Sequence, residues 1–214
     1  MNELILASKS PRRRELLDRL GLAHTVISID TDEWYPDDLS PVGIVSYISR
    51  EKAAAAATMV APEDIVITAD TMVFLDNRKL GKPQSEEEAF EMLSSLSGRE
   101  HTVCTGVTVM QGNRMLTEAE STRVRFAPLD EDTIRAYIRT GEPMDKAGAY
   151  GAQGYGALLI EGIEGDFFNV MGLPIRRLSC MLRKFHVPVL LGAGLSDRAP
   201  SPASFPTPNE RYAL

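Results

Sequence analysis

Residues 8–14 read SKSPRRR, which sets two serines, a proline and three arginines where the chain turns into a helix. A helix N-terminus carries unpaired N–H groups and about half a positive charge, so Ser8, Ser10 and the arginines form a ready seat for an anion. Arg12 and Arg13 add forked donors that suit phosphate oxygens. Consecutive helical residues point about 100° apart, so at least one of the three arginines is expected in solvent or beside an acid. Lys52 falls on the apolar stripe of Val45 and Ile48, whereas Arg50 and Glu51 fall off it. Taken singly, that is the pattern of a snorkelling lysine. Lys82 stands between Gly81 and Pro83, which fix a turn and aim it. Asp70 follows the apolar run 65–69 (IVITA), and the carboxyl ends of strands are where α/β sheets bind ligands. A carboxylate there suits a divalent metal or an attacking water, with a turn-forming aspartate as the plainer alternative. Glu33 offers a second oxygen ligand, although in so acidic a stretch (residues 30–38) a solvated face is the commoner meaning.

The elements that must position these residues alternate. A short strand over residues 4–7 precedes a helix opened by Ser10 and Pro11, burying Leu16, Leu17 and Leu20 and ending near Gly21. Ser40 and Pro41 open a second helix through Lys52. Residues 65–69 read as a buried strand that ends at Asp70. Ser85 and Glu88 form a capping-box pattern ahead of Ala89, Met92, Leu93 and Leu96, and Gly98 stops that helix. Strands over 102–110 and 115–126 flank a hairpin signal at Gln111, Gly112 and Asn113. Asp130 caps a helix to Gly141, and a last helix runs from Ile175 to about Phe185 with Leu178 and Leu182 inward. Residues 148–156 (GAYGAQGYG) cannot form an ordinary helix and read as a loop in which backbone approaches something closely. Alternating strands and helices give the α/β class.

Composition limits the partners. The 214 residues carry 23 Lys+Arg against 30 Asp+Glu, a net charge of -7, so no nucleic-acid or membrane-surface partner is expected and the arginines are a local basic feature. No apolar run approaches the roughly 20 residues that span a bilayer. The start, MNELILASKSP, lacks the basic and long apolar regions of a signal peptide, which points to the cytoplasm. Cys104 and Cys180 have no CxxC or histidine spacing and read as reduced, structural thiols rather than zinc ligands or a disulfide. Residues 1–189 read as one domain, and 190–214, rich in Pro, Ser and Ala, as a flexible tail.

Six motifs occur in order: SxSPRRxELL from Ser8, EKA at 51–53, ADT at 69–71, GKP at 81–83, KAGAYGxQG at 146–154 and NVxGLP at 169–174. Together they closely resemble the Maf-like nucleotide pyrophosphatases, over residues 4 to about 185. The resemblance implies a central mixed, twisted sheet flanked by helices, with two lobes and a nucleotide-binding cleft between them. It implies hydrolysis of a nucleoside triphosphate to monophosphate and pyrophosphate with a divalent cation, Mg²⁺ or Mn²⁺. Asp70 then matches the proton acceptor, and Glu33, Lys52 and Lys82 the other polar cleft residues. Asp70 and Glu33 are the candidate metal ligands. Ser8 and Arg13 match the phosphate-binding end. At the specificity positions, Arg12, Thr71 and Gln153 match the branch acting on dTTP and UTP, whereas a sister branch acting on 7-methyl-GTP has Trp, Gln and Glu there. A homodimer is in keeping with this family. The family's link to septum formation keeps a second role open, that of a nucleotide-responsive regulator of cell division. A dinucleotide-binding oxidoreductase is disfavoured, because Gly154-Tyr155-Gly156 lacks a third glycine and opens no helix.

Overall fold

The computed structural model describes residues 2–31 and 34–189, so Glu33 and the segment 190–214 lie outside the described residues. The chain begins with β1 (Leu4–Ala7) and α1 (Pro11–Arg19), followed by β2 (Thr25–Ile27) and α2 (Pro41–Ala56). Ser40 caps α2 by accepting from the Gly43 N–H at 3.2 Å. Ser10 holds the equivalent place on α1 without a side-chain cap; its own N–H donates to Ser8 Oγ at 3.2 Å. β3 (Ile65–Leu75), β4 (Arg78–Leu80) and α3 (Glu86–Leu96) come next. Ser85 accepts from the Glu88 N–H, but the Glu88 carboxylate accepts from Gln84 rather than Ser85, so the expected capping box is displaced by one residue. β5 (Glu100–Gln111) and β6 (Arg114–Phe126) form the expected hairpin, with Gly112 at φ +53° in its turn. Then follow α4 (Glu131–Arg139), β7 (Ile160–Glu164), α5 (Phe167–Val170) and α6 (Ile175–Lys184).

The strands build one seven-stranded mixed sheet in the order β2-β1-β3-β5-β6-β7, with β4 also paired to β3. β1 runs parallel to both β2 and β3, and the remaining pairs are antiparallel. β3 is longer than its sequence suggests. It does not stop at Asp70 but continues to Leu75, because Met72, Phe74 and Leu75 are apolar enough to stay buried and β5 pairs with it through Phe74. Asp70 is therefore a mid-strand residue.

Alternation along β3 sorts the core onto two faces. Ile65, Ile67 and Ala69 pack with α1 and α6 in one apolar cluster, and Val73 and Leu75 pack with α3 and α4 in another. Thr71 lies on the same face between the two clusters, which are the two lobes. The opposite face carries Val66, Thr68, Asp70, Met72 and Phe74 and is covered by α2. The glycine-dense stretch also departs from expectation. It contains two 3₁₀ turns, Ala147–Ala149 and Gly154–Leu159, and its close approaches are to the chain itself. A Cβ on Gly156 would lie 2.1 Å from Gly151 O, and one on Gly154 would lie 2.6 Å from Glu142 Oε2. The Glu142 carboxylate accepts from the Tyr155 and Gly156 N–H groups and from Tyr137 OH, so it organises this segment from within.

Under the second lobe, the His101 ring packs edge-on against Phe126 and Tyr150, and its Nε2 is 2.7 Å from Tyr150 OH. Burial lowers the pKa of His101 from 6.5 to about 4. The folded protein then binds the proton less readily than the unfolded chain. Its stabilising effect is complete above pH 6.5 and is lost as the pH falls from there toward 4, by about 3 kcal/mol in all. Urea unfolding of the wild type and of His101→Asn should show a shallower loss of stability across that window in the variant, and parallel pH profiles would contradict this account.

Candidate active site

Ile67 is the last residue of β3 in register with β1, and Val73 is the first in register with β4. β5 occupies the other edge of β3 throughout, so Thr68 to Met72 have no strand beside them on the β1 side. This notch in the sheet edge opens into a cleft of about 690 Å³, within the range of small-molecule sites. Ser8, Arg12, Arg13, Lys52, Asp70, Thr71 and Lys82 all line it, so seven of the nine candidates from the sequence converge there. Gln153 is not among the lining residues; it is half-buried and precedes the 3₁₀ turn Gly154–Leu159. Glu33 lies outside the described residues.

Asp70 is brought to the notch by an unusually close helix contact. It pairs across the sheet with Gly106, where an added Cβ would lie 2.2 Å from Val45 O. The missing side chain lets the backbone of α2 rest directly on β5. Two turns further along α2, Lys52 Nζ then donates to Asp70 Oδ1 at 2.6 Å. Both groups are largely shielded, with side chains 18% and 7% exposed, so the ion pair is poorly screened and the stem of Lys52 packs while its charge stays inside. Snorkelling into water is therefore not its role. The other oxygen, Asp70 Oδ2, is buried with no hydrogen-bond partner. Thr31 Oγ1, which also lines the cleft, shares that condition. A buried carboxylate oxygen without a donor is costly unless something else uses it.

On the opposite face of β3 the polar groups form a seam between the lobes. Arg13 Nε donates to Gly172 O at 2.7 Å, Nη1 to Ala69 O at 2.8 Å and Nη2 to Thr71 Oγ1 at 2.9 Å. Ala69 O belongs to the unpaired edge, so a guanidinium takes the place of the missing strand. Thr105 donates to Asn169 O, and Thr71 Oγ1 lies 2.9 Å from Thr105 Oγ1 and 3.4 Å from Gly172 O, to which it can donate. Asn169 Nδ2 in turn donates to Val103 O and Thr122 Oγ1. Thus Arg13 braces the site as well as lining it. Arg14 faces outward toward Asp18 at 3.8 Å, an exposed arginine beside an acid as expected. Arg12 Nη1 lies 3.8 Å from Asp145 Oδ2 across the cleft, and Lys146 Nζ is 2.6 Å from Asp145 Oδ1. Burial pulls the Asp145 carboxyl upward, but the Lys146 hydrogen bond and the charges of Lys146 and Arg12 outweigh it and hold the group below its usual range. Lys82 is exposed at the cleft rim.

Sequence reasoning missed several of these groups. Asp145, Lys146, Tyr150 and Lys79 line the cleft. Lys146 and Tyr150 both belong to KAGAYGxQG, where the dense glycines are the stronger local signal. Thr105 had no signal, being one of three threonines spaced along its strand with nothing local to set it apart from Thr102 and Thr108. Among the described residues, no cluster of three or more His, Cys, Asp or Glu converges. Cys104 and Cys180 are unpaired, as expected, and no helix of the described residues is long and apolar enough to cross a membrane.

The family model described as Maf-like protein matches residues 3–185. A protein of Pelotomaculum thermopropionicum named dTTP/UTP pyrophosphatase is 50% identical over 192 residues, covering 89% of this chain and all of that one. One of the same name from Bacillus velezensis is 48% identical over 184 residues, covering 86% and 97%. The structure of the Staphylococcus aureus Ham1 protein superposes with a TM-score of 0.50 at 13% identity, covering 86% of this chain and all of that one, a likeness of fold.

The Gly106 contact makes the first test of the site. Gly106→Ala must push α2 off the sheet and separate Lys52 from Asp70. Urea unfolding should show a loss of about 1–3 kcal/mol, the usual range for an overpacked core, and an unchanged midpoint would mean that the helix does not rest where described.

Proposed function

The chain belongs to the Maf-like protein family, and on that premise we propose that it is a nucleoside triphosphate pyrophosphatase acting on dTTP and UTP. The observation that carries this reading is the shielded Lys52–Asp70 pair, with Asp70 Oδ2 unpartnered, inside a cleft lined with cations. The relatives' names supply the substrate class, and the cleft has the charge that a triphosphate needs.

In this reading, water attacks the α-phosphorus and the bond to the bridging oxygen breaks, so the electron pair leaves with pyrophosphate. Asp70 Oδ2 orients the water and accepts its proton, while the Lys52 hydrogen bond fixes the carboxylate through Oδ1. Lys82 and the N-terminus of α1 meet the phosphate charge. Ser8 Oγ accepts from the Ser10 N–H and from Arg13, so its own hydrogen is directed to a phosphate oxygen. A divalent cation fits the same place. Asp70 Oδ2 is a hard oxygen ligand lacking a donor, and Mg²⁺ or Mn²⁺ commonly binds through one or two carboxylates together with substrate phosphates. Glu33 is the second candidate ligand. When bound, such a cation supplies charge neutralisation to the phosphate oxygens.

Recognition of the pyrimidine is assigned to Arg12 and Thr71, which line the cleft. The Thr71 hydroxyl is held in a fixed orientation by Arg13 and Thr105, which suits a contact that must discriminate. Gln153, which the family resemblance puts at the third specificity position, offers both a donor and an acceptor but lies outside the cleft lining and is assigned no contact. The setting of the reaction is the cytoplasm, where free nucleotides occur.

Incubation of the purified chain with a nucleotide panel and Mg²⁺ or Mn²⁺ should release pyrophosphate from dTTP and UTP. Release of orthophosphate alone, or faster turnover of 7-methyl-GTP, would overturn the assignment. Asp70→Asn, which keeps the shape of the side chain, should leave the fold intact and lower kcat by about 10²–10⁴. Near wild-type turnover in that variant would remove Asp70 from the mechanism.

A further inference from the structure

Among the described residues, seven Lys or Arg side chains line the cleft against three Asp. Most of these cations are already engaged. Lys9 pairs with Asp30 and Lys52 with Asp70, while Arg12 and Lys146 share Asp145. Arg13 donates to Gly172 O, Ala69 O and Thr71. Lys79 and Lys82 make no ion pair among the described residues, and they sit three residues apart on one short segment.

Lys79 has a defined direction. It stands on β4 directly opposite Phe74 of β3, and cross-strand partners project to the same face of a sheet. Phe74 shares its face with Met72 and Asp70, so Lys79 lies on the Asp70 side, whereas Thr71 and Arg13 lie on the other. Its ammonium stands 5.1 Å from the centroid of the Tyr35 ring. A cation–π contact holds the group in place without neutralising its charge. The side chain is half-buried and lines the cleft.

We infer that Lys79 is a further ligand for the pyrophosphate end of the substrate, acting beside Lys82. The inference rests on the pyrophosphatase reading of the cleft. With the base toward Thr71 and the α-phosphorus at Asp70, the β- and γ-phosphates continue onto the face that Lys79 occupies. The leaving group gathers negative charge as the bond breaks, and an ammonium with no competing carboxylate is the group best able to receive it.

The test is calorimetric titration of the full chain with inorganic pyrophosphate, comparing wild type, Lys79→Gln and Lys79→Arg, with thermal unfolding of each. Lys79→Gln should bind pyrophosphate about tenfold more weakly, a typical loss for one charge-assisted hydrogen bond, and Lys79→Arg should recover most of it at a similar unfolding midpoint. Equal affinity in wild type and Lys79→Gln, or a wild type that does not bind pyrophosphate, would overturn the inference. If pyrophosphate binding weakens as expected but dTTP and UTP are not hydrolysed, the Lys79 site stands and the pyrophosphatase reading falls.

Discussion

The gap on one edge of β3, between the end of β1 and the start of β4, is the constraint on which the rest of the molecule depends. A strand edge exposes N–H and C=O groups that must find partners. Here part of that need is met by the Arg13 guanidinium at Ala69 O, and the remaining space is the cleft. Because successive side chains alternate, Asp70 and Thr71 enter the same notch from opposite faces of the sheet. In the proposed reading, chemistry at Asp70 and recognition at Thr71 are thereby separated by the thickness of one strand. A nucleotide is long enough to use both.

Each face carries its own support. On the Asp70 side, the absent side chain of Gly106 seats α2 and so delivers Lys52. On the Thr71 side, the run from Arg13 through Thr71 and Thr105 to Asn169 ties the two lobes together through directed hydrogen bonds. Asn169 and Gly172 both belong to the NVxGLP motif. That motif contributes backbone oxygens to the brace and carries no reactive group itself.

Much of this was legible in the sequence, for reasons that can be named. Helix starts at Ser40, Ser85 and Asp130 follow local capping chemistry, and local chemistry survives folding. The position of Lys52 on an apolar stripe correctly placed it inward. The end of β3 was misjudged because an aspartate in an apolar run looks like a terminus, and only pairing with β5 reveals that the strand continues. The glycines at 148–156 signalled close approach correctly but not its object, since Glu142 is a distant partner in neither helix nor strand periodicity. The bracing role of Arg13 was not legible, because sequence shows a charge and not the carbonyl oxygens of Ala69 and Gly172 that it also meets. The mutual proximity of Ser8, Lys52, Asp70 and Lys82 came from the family resemblance alone, as no local pattern encodes a cleft.

The central claim is that the notch presents an α-phosphorus to a water oriented by Asp70. Turnover of dTTP in water enriched in heavy oxygen, with mass analysis of both products, tests it most directly. Heavy oxygen should appear in the monophosphate and not in the pyrophosphate. Label in the pyrophosphate would place the attack on the β-phosphorus and contradict the account.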